Sequence, residues 1–266
     1  MSVKDGIDAL LLREFAEHPG RYLSWENDGT IKRHLSARAC IVVGPTFAIV
    51  SSIDIARGEA PDLLDEVRRL APPDGHTAWF LTPSTRPAGL ADELLALGLR
   101  NPTDGSEKLY ALVLDREPSD SSTGIEMHEV TTPADHTAAA EARWEAFDRP
   151  ADERAHEREF LSTYYEEYLR TKDRSAIAFV ATVEGRVAGS ANALLSDRGL
   201  FLIGGSTAPW ARGRGVYRAL VAARWRYAVD RGTPALAVHA IHNTSAPILR
   251  RLGFREVCAM RCLEGL

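Results

Sequence analysis

Short apolar stretches alternate with polar turns along the chain and predict a fold that mixes strands and helices. In the second half, strand-like runs cover residues 177–183, 187–195, 200–205, 235–241 and 256–263. Helical patterns begin after Gly215 and again at 247–254. In the first half, the same criteria predict strands at 39–44, 46–53, 77–81 and 108–114, and helices at 6–17, 61–70 and 89–97. The fold class is therefore α/β, in the broader α+β sense, with helices flanking a sheet.

The order of these elements occurs twice. The first half has the order strand, strand, helix, strand, helix, strand, and the second half repeats this order after one additional strand. Both 90–99 and 247–254 end in Leu-Gly followed by an apolar residue. A polar stretch with a proline and no periodicity, 116–124, separates the halves. We expect two units, 1–118 and 124–266. The alternative is that the first half is an unrelated α/β domain.

Composition restricts the class of protein. The chain has 266 residues, 45% of them hydrophobic and 26% charged, with a formal net charge of −5. These values are typical of a soluble globular protein and disfavour nucleic acid as the main partner. No apolar run approaches the roughly 20 residues that span a bilayer, and the charged N-terminus does not resemble a secretory signal. We expect a cytoplasmic protein without a membrane partner, and a monomer or a homodimer.

The three cysteines are Cys40, Cys258 and Cys262, and their spacing fits neither a disulfide framework nor a metal site. We expect them to be small core side chains, and we expect no bound metal.

The segment 206–221, STAPWARGRGVYRALV, is typical of an anion site. A short strand leads into a loop with Gly213 and Gly215, and a helix follows at once. The first amides of a helix have no intrahelical acceptor and carry partial positive charge, and glycines allow a phosphate to approach the backbone. Six arginines, at 212, 214, 218, 224, 226 and 231, lie in or after this loop. Alternatively, they cover the solvated face of a helix that buries Val216, Leu220, Ala223 and Tyr227.

Two familiar nucleotide motifs do not fit. No Gly-x-x-x-x-Gly-Lys-Ser/Thr sequence occurs, which argues against a P-loop. The pair Gly213 and Gly215 is not followed by the third glycine or the downstream acid of a dinucleotide fold.

The loop and the elements after it resemble the GNAT superfamily of acyl-CoA-dependent N-acyltransferases. Pro209, Arg212 and Gly215 match that family's Arg/Gln-x-x-Gly-x-Gly/Ala loop with its upstream proline. Asn243 and the sequence Leu252-Gly253-Phe254 match its second motif, in which a polar residue opens a helix ending in Leu-Gly-Phe. The resemblance covers about residues 124–266. It implies a mostly antiparallel sheet with splayed central strands, acetyl-CoA as co-substrate and an amine as acceptor.

By this resemblance, the acyl donor contacts residues in three groups. Those beside the thioester and pantetheine are Ser206, Thr207 and Ala208; those holding the pyrophosphate are Arg212, Gly213, Arg214, Gly215, Val216 and Tyr217; and Asn243, or His242 in its place, takes the family's Asn position. The chain departs from the family pattern at two positions. Tyr217 replaces a small residue of the loop, so its ring lies near the phosphates or is turned aside. Leu249 replaces a tyrosine that serves many members as general acid.

The reaction also needs a general base, because a primary amine with a pKa near 10.4 must lose a proton before it attacks. His239, in the strand after the helix, and His242 are the nearest titratable groups, and a satisfied or solvent-facing histidine is the alternative for each. Glu145, Asp148 and Asp152 belong to the acidic segment 141–167, predicted as two helices on the acceptor side. Ser245 is a candidate acid for the thiolate, with helix capping as its alternative.

The first half has no comparable loop, because its counterpart at 55–62 contains one glycine and two acids. We expect a degenerate GNAT-like domain there and a catalytic domain at 124–266. The favoured function is N-acetylation of a small-molecule amine by direct attack in a ternary complex. Acetylation of a protein or peptide, and a non-catalytic acyl-CoA-binding module, are the alternatives. Aromatic residues in the acidic segment, among them Phe160, Tyr164 and Tyr168, favour a partly apolar amine if they reach the cleft, and otherwise form core.

Overall fold

The computed structural model describes residues 8–24, 27, 29, 31–73, 75–103, 105–118 and 124–265. The expectations for 6–7 and for most of the stretch 116–124 lie outside the described residues. Within them no helix is long and apolar enough to cross a membrane. All three cysteines are buried, which confirms their expected place in the core.

Helices and strands follow one another much as expected. The helices are α1 (Ala9–Glu17), α2 (Pro19–Tyr22), α3 (Ala60–Leu70), α4 (Leu90–Ala96), α5 (Pro133–Ala146), α6 (Ala151–Glu159), α7 (Leu161–Thr171), α8 (Val216–Asp230) and α9 (Ser245–Arg251), with a 3₁₀ turn at Pro209–Ala211. The strands are β1 (Lys32–Leu35), β2 (Cys40–Val43), β3 (Phe47–Ser51), β4 (His76–Leu81), β5 (Lys108–Leu114), β6 (Glu126–Glu129), β7 (Ala176–Val183), β8 (Arg186–Ser196), β9 (Gly199–Thr207), β10 (Leu236–Ile241) and β11 (Arg255–Glu264).

The chain divides into two compact units that are interleaved in sequence. The central unit consists mainly of Leu114–Val238, and the split unit joins Leu10–Val113 to His239–Leu266. The C-terminal segment therefore packs with the first half of the chain. The domain boundaries expected from the sequence, 1–118 and 124–266, stay a prediction.

In the split unit the strands follow the order β1-β2-β3-β4-β11-β5. Strand β3 runs parallel to β4, whereas β11 runs antiparallel to both of its neighbours. Arg261 of β11 is registered with Leu81 of β4 and with Lys108 of β5. The core of this unit joins α3 and α4 to the sheet, and includes Leu63, Val67, Trp79, Leu94 and Leu263. The C-terminal strand thus completes the core of the first half.

In the central unit β6, β7, β8 and β9 form an antiparallel ladder, and β9 pairs in parallel with the start of β10. Alternating and continuous apolar runs put Ile177, Val180 and Leu200 in the interior. Helix α5 begins with a capping box in which Thr132 and Asp135 exchange side-chain and backbone hydrogen bonds.

The acidic segment 141–167 contains parts of three helices rather than the two expected. Helix α5 ends at Ala146, and Asp148 has a positive φ of 48°, which breaks the helical path before Pro150. A second break at Phe160 separates α6 from α7. Tyr165 and Tyr168 of α7 donate to the carbonyls of Thr131 and Val130, so these two rings tie the helix to the sheet.

Candidate functional site

The loop between β9 and α8 exposes a run of backbone amides. Gly213 and Gly215 have φ angles of 78° and 89°, in the left-handed region that favours glycine. The first intrahelical bond of α8 runs from the amide of Ala219 to the carbonyl of Gly215 at 3.0 Å. The amides from Gly215 to Tyr217 therefore have no acceptor within the helix.

The space beside these amides is open. A Cβ added to Gly213 would meet no atom within 4 Å, and one added to Gly215 would meet only the Cδ1 atom of Ile125, at 3.8 Å. Unpaired amides at the positive end of a helix dipole, with room in front of them, can accept an anionic oxygen.

The six arginines of this region do not act as one group. Arg212 donates to the carbonyl of Ala146, the last residue of α5, at 2.9 Å, and Arg214 donates to the Glu184 carboxylate at 2.8 Å. These two exposed guanidinium groups flank the loop. Arg231 lies beyond the far end of α8 and donates to the carbonyl of Asp173, whereas Arg224 is buried. Arg226 is exposed on α8, as the solvated-face interpretation expects, whereas anion binding by Arg212 and Arg214 stays a prediction.

Strand β9 is irregular where it approaches the loop. Ser206 is registered with Ser190 and Ile203 with Asn192, so β9 contains one residue more than β8 over this interval. Gly204, within this β9 bulge, has a φ of 61°. The parallel ladder with β10 consists of Leu200–Leu236 and Phe201–Ala237. Beyond Phe201, the described residues of the central unit leave that edge of β9 without a strand partner.

The three residues expected beside the thioester differ in whether their polar groups are already hydrogen-bonded within the protein. The Ser206 hydroxyl lies between strands, 3.2 Å from the Ser190 hydroxyl, and the Ala208 amide donates to the carbonyl of Ala188. Thr207 Oγ1 is buried and has no hydrogen-bond partner among the described residues. Of the side chains at these three positions, Thr207 has the uncommitted polar atom.

Tyr217 is turned towards the sheet. A Cβ built on Gly205 would lie 2.9 Å from Cε2 and 3.7 Å from Cζ of the Tyr217 ring. Burial raises the pKa of its hydroxyl, and the nearby Arg224 cation opposes that rise. The ring therefore packs against β9, the second of the two placements considered from the sequence.

The acidic candidates lie at the surface of the central unit. Glu145 is 3.9 Å from the Arg186 guanidinium, which in turn stacks 4.3 Å above the Trp210 ring of the 3₁₀ turn. Asp148 and Asp152 are exposed. Glu145 is thus linked to the start of the loop through Arg186, and its role as a base stays a prediction.

His239 belongs to the split unit and is satisfied by the backbone there. Its Nε2 lies 2.9 Å from the carbonyl oxygen of Ala16, and its ring centroid is 5.6 Å from that of Phe80. Burial lowers the pKa of the imidazole to about 4, so the ring is neutral at pH 7. It lines a cavity of about 320 Å³ with Phe80, Leu109, Ile241 and Cys262 among others. Nε2 thus donates to Ala16, which fits the alternative role; catalysis by His239 stays a prediction.

The turn between β10 and α9 contains the remaining candidates. Nδ1 of His242 is buried without a hydrogen-bond partner among the described residues, and Asn243 is exposed. Ser245 is the first residue of α9, and its hydroxyl accepts from the amide of Ile241 at 2.9 Å. Thr244, rather than Ser245, occupies the N-cap position, so the capping role considered for Ser245 was wrong. Leu249 is fully buried.

The corresponding loop of the split unit, 55–62, contains a carboxylate. The amide of Ala56 donates to Oε2 of Glu59 at 2.9 Å, and Glu59 occupies the N-cap of α3, with Asp62 in the first turn. Negative side chains at this helix start disfavour a phosphate.

Residues 137–254 match the family model described as the acetyltransferase (GNAT) family. This segment is a GNAT acetyltransferase domain. The protein is accordingly an acyltransferase, as the two motifs indicated. No curated protein sequence matches the chain significantly.

Solved structures share the fold over most of the chain. A GCN5-related N-acetyltransferase from Kribbella flavida is 15% identical with a TM-score of 0.63, and the match covers 96% of this chain and 95% of that one. A tandem GNAT protein from the clavulanic acid biosynthesis pathway is 15% identical with a TM-score of 0.56, covering 85% and 78%. A putative GNAT acetyltransferase from Novosphingobium aromaticivorans is 18% identical with a TM-score of 0.51, covering 99% and 98%. The mixed, mostly antiparallel sheet with flanking helices is thus confirmed as a GNAT-type fold.

Sequence reasoning about the GNAT domain missed the separate position of Arg224. It was counted among six arginines, although it follows Leu220 by four residues and Val216 by eight. That spacing places it on the buried stripe of α8, and this signal could have set it apart.

Proposed function

We propose that the protein transfers the acetyl group of acetyl-CoA to a primary amine of a small molecule. The observation that carries this proposal is the open row of amides from Gly215 to Tyr217, which follows the part of β9 beyond Phe201, where the described residues of the central unit supply no strand partner. A phosphate group and an extended acyl chain need these two features side by side. Arg212 and Arg214 supply positive charge at the edge of the same loop.

Acetyl-CoA supplies an activated acetyl thioester. The amine nitrogen forms a bond to the carbonyl carbon, the carbon–sulfur bond breaks, one proton leaves the nitrogen and one reaches the sulfur. Backbone amides of β9 stabilise the negative charge that develops on the carbonyl oxygen. The Thr207 hydroxyl orients the acyl donor; its support is that Oγ1 is buried and bonds to none of the described residues.

Proton transfer is assigned to groups near the turn after β10. His239 is kept neutral by burial, as a base must be, and His242 has a buried Nδ1 for which the described part of the chain supplies no partner. Ser245 retains its own proton while it accepts from the Ile241 amide, so it can donate that proton to a thiolate. Leu249 contributes packing in place of the family's tyrosine.

We further propose that the split unit is a degenerate GNAT-like domain that binds no CoA. The Glu59 carboxylate on the Ala56 amide supports this assignment. The likeness to a tandem GNAT protein supports the presence of two related units.

A panel of primary amines, assayed with acetyl-CoA by detection of the released thiol, tests the function. The expected result is turnover with at least one small amine by the wild type and none by Gly215→Glu. Tight binding of acetyl-CoA with no thiol release for any amine would contradict it and favour a non-catalytic binding module. Turnover with peptides alone would favour the protein N-acetyltransferase.

A further inference from the structure

Arg224 lies inside the central unit with 1% of its surface exposed. Its Nε donates to the carbonyl of Leu220 in its own helix at 2.9 Å, and Nη1 donates to the carbonyl of Asn192 in β8 at 3.2 Å. Nη2 is buried and has no hydrogen-bond partner among the described residues. The side chain therefore donates to one strand carbonyl and has a second donor that bonds to none of the described residues.

No carboxylate is paired with this cation in the part of the chain that the structure describes. Burial lowers the pKa of Arg224 to about 10, and the facing titratable group is the Tyr217 hydroxyl. The guanidinium is thus charged at pH 7 without a counter-ion. Burying an unpaired charge costs stability, and apolar replacements of buried ionic groups are often neutral or stabilising. Stability alone does not explain an arginine at this position.

Asn192, whose carbonyl accepts the hydrogen bond from Nη1, lies at an irregular point of the sheet. Asn192 is the residue at which the register between β8 and β9 resumes after the β9 bulge. On the other side, a Cβ built on Gly205 would lie 3.7 Å from Nη2. The guanidinium therefore bonds to β8 and lies beside β9 at Gly205.

The bulge fixes where the β9 amides point. An extra residue re-aims the strand around Gly204, on the edge of β9 that has no strand partner in the central unit. Amides that stabilise a developing oxyanion must be held within a fraction of an ångström of their working position. A rigid support behind the bulge supplies that constraint.

We propose that Arg224 is a positioning residue for acyl transfer: it holds the bulge at Gly204 and Gly205 in the conformation that presents the β9 edge to the thioester. This inference rests on the proposed function. It predicts an effect on the rate of the chemical step rather than on the binding of CoA, because the amides from Gly215 to Tyr217 lie two turns away along α8.

The test compares Arg224→Met with Arg224→Lys, and uses Arg226→Met on the exposed side of the same helix as the matched control. Arg224→Met is expected to lower kcat about 10-fold or more and to change the KM for acetyl-CoA less than about threefold. Its melting temperature should not fall, and amide hydrogen exchange across 200–207 should become faster. Arg224→Lys, which retains a cation and a donor for Asn192, should recover part of kcat. Arg226→Met should resemble the wild type.

A wild-type kcat in Arg224→Met, or an equal loss in Arg226→Met, would overturn the inference. If Arg224→Met does not melt cooperatively, the kcat values of Arg224→Lys and Arg224→Gln are compared instead. The kcat of Arg224→Lys should be higher than that of Arg224→Gln, and equal values would overturn the positioning role. A wild type that consumes no acetyl-CoA contradicts the proposed function instead. In that case exchange across 200–207 still tests Arg224, because unchanged protection in Arg224→Met shows that it does not hold the bulge.

Discussion

The ring of Tyr217 lies against Gly205, so closely that a Cβ on Gly205 would be 2.9 Å from its Cε2 atom. Real Cβ atoms do not come so near to an aromatic carbon. Because Gly205 has no side chain, β9 leaves room for the ring of Tyr217 at the start of α8. We call this complementary packing of the two residues the match. The amides of the loop stay open as a result.

This match predicts that Gly205→Ala destabilises the protein by about 1–3 kcal/mol, because the added methyl group overpacks the ring. The backbone at Gly205 is not left-handed, so the cost comes from the contact. Urea unfolding measures it. In a Tyr217→Ala background the same substitution should cost much less, since the ring is gone. Additive effects of the two substitutions would contradict the match.

Acetyl-CoA binding should depend on Gly215 and not on Gly58, a glycine of similar conformation in the split unit. Gly215→Glu places a carboxylate against the exposed amides and should weaken binding at least about 100-fold, as measured by calorimetry. Gly58→Glu is the matched control, because Gly58 has a φ of 90° and open space around it, and lies in loop 55–62 of the split unit. That variant should bind normally, with one site per chain. Two sites in the wild type would refute the assignment of a single CoA-binding unit.

Much of the local structure could be predicted from the sequence, because hydrophobic periodicity is a local property. Helix α3 was expected at 61–70 and is found at Ala60–Leu70, and β5 has the expected bounds. Strands β1 and β6 were missed, since KRHL and EMHE are charged and show no apolar alternation. Such composition is common at the edges of sheets, where both strands lie.

Long-range relationships were not predictable in the same way. Nothing in the sequence of β11 indicates that its neighbours are β4 and β5, because strand pairing depends on the whole topology. The loop glycines were found because phosphate binding needs their backbone freedom. The direction of the Tyr217 ring and the bond from His239 to Ala16 depend on side-chain packing, which hydrophobic periodicity does not determine.

His239 should give the protein a distinct pH dependence of stability. Its pKa is about 4 in the folded protein and near 6.5 when unfolded, so the unfolded state takes up the proton first as the pH falls. The contribution is complete above about pH 6.5 and is lost towards pH 4, with a size on the order of 2–3 kcal/mol. His239→Gln keeps a donor for Ala16 and removes the titration. Its unfolding free energy should change less than that of the wild type between pH 7 and 4.5, and identical pH dependence would contradict the assigned pKa.

The catalytic role of His239 is tested by the pH–rate profile. If it is the base, the acidic limb of kcat/KM should lie near pH 4, and His239→Ala should remove that limb and lower kcat/KM about 100-fold or more. His242→Ala and Glu145→Gln are the comparisons, and loss of the limb in one of these alone moves the role to that residue. Leu249→Ala should leave the profile unchanged, because Leu249 is buried packing.

A fragment of residues 124–266 should not fold cooperatively on its own. It keeps β11 but removes β4 and β5, which bond to both edges of that strand, and it uncovers Leu263 in the core. We expect β11 amides to exchange freely in the fragment and to be protected in the full chain. Co-expression with residues 1–123 should restore protection, because both neighbours are then supplied in trans. A monomeric fragment that melts cooperatively, protects 255–264 and retains full activity would show that β11 does not need the first half of the chain.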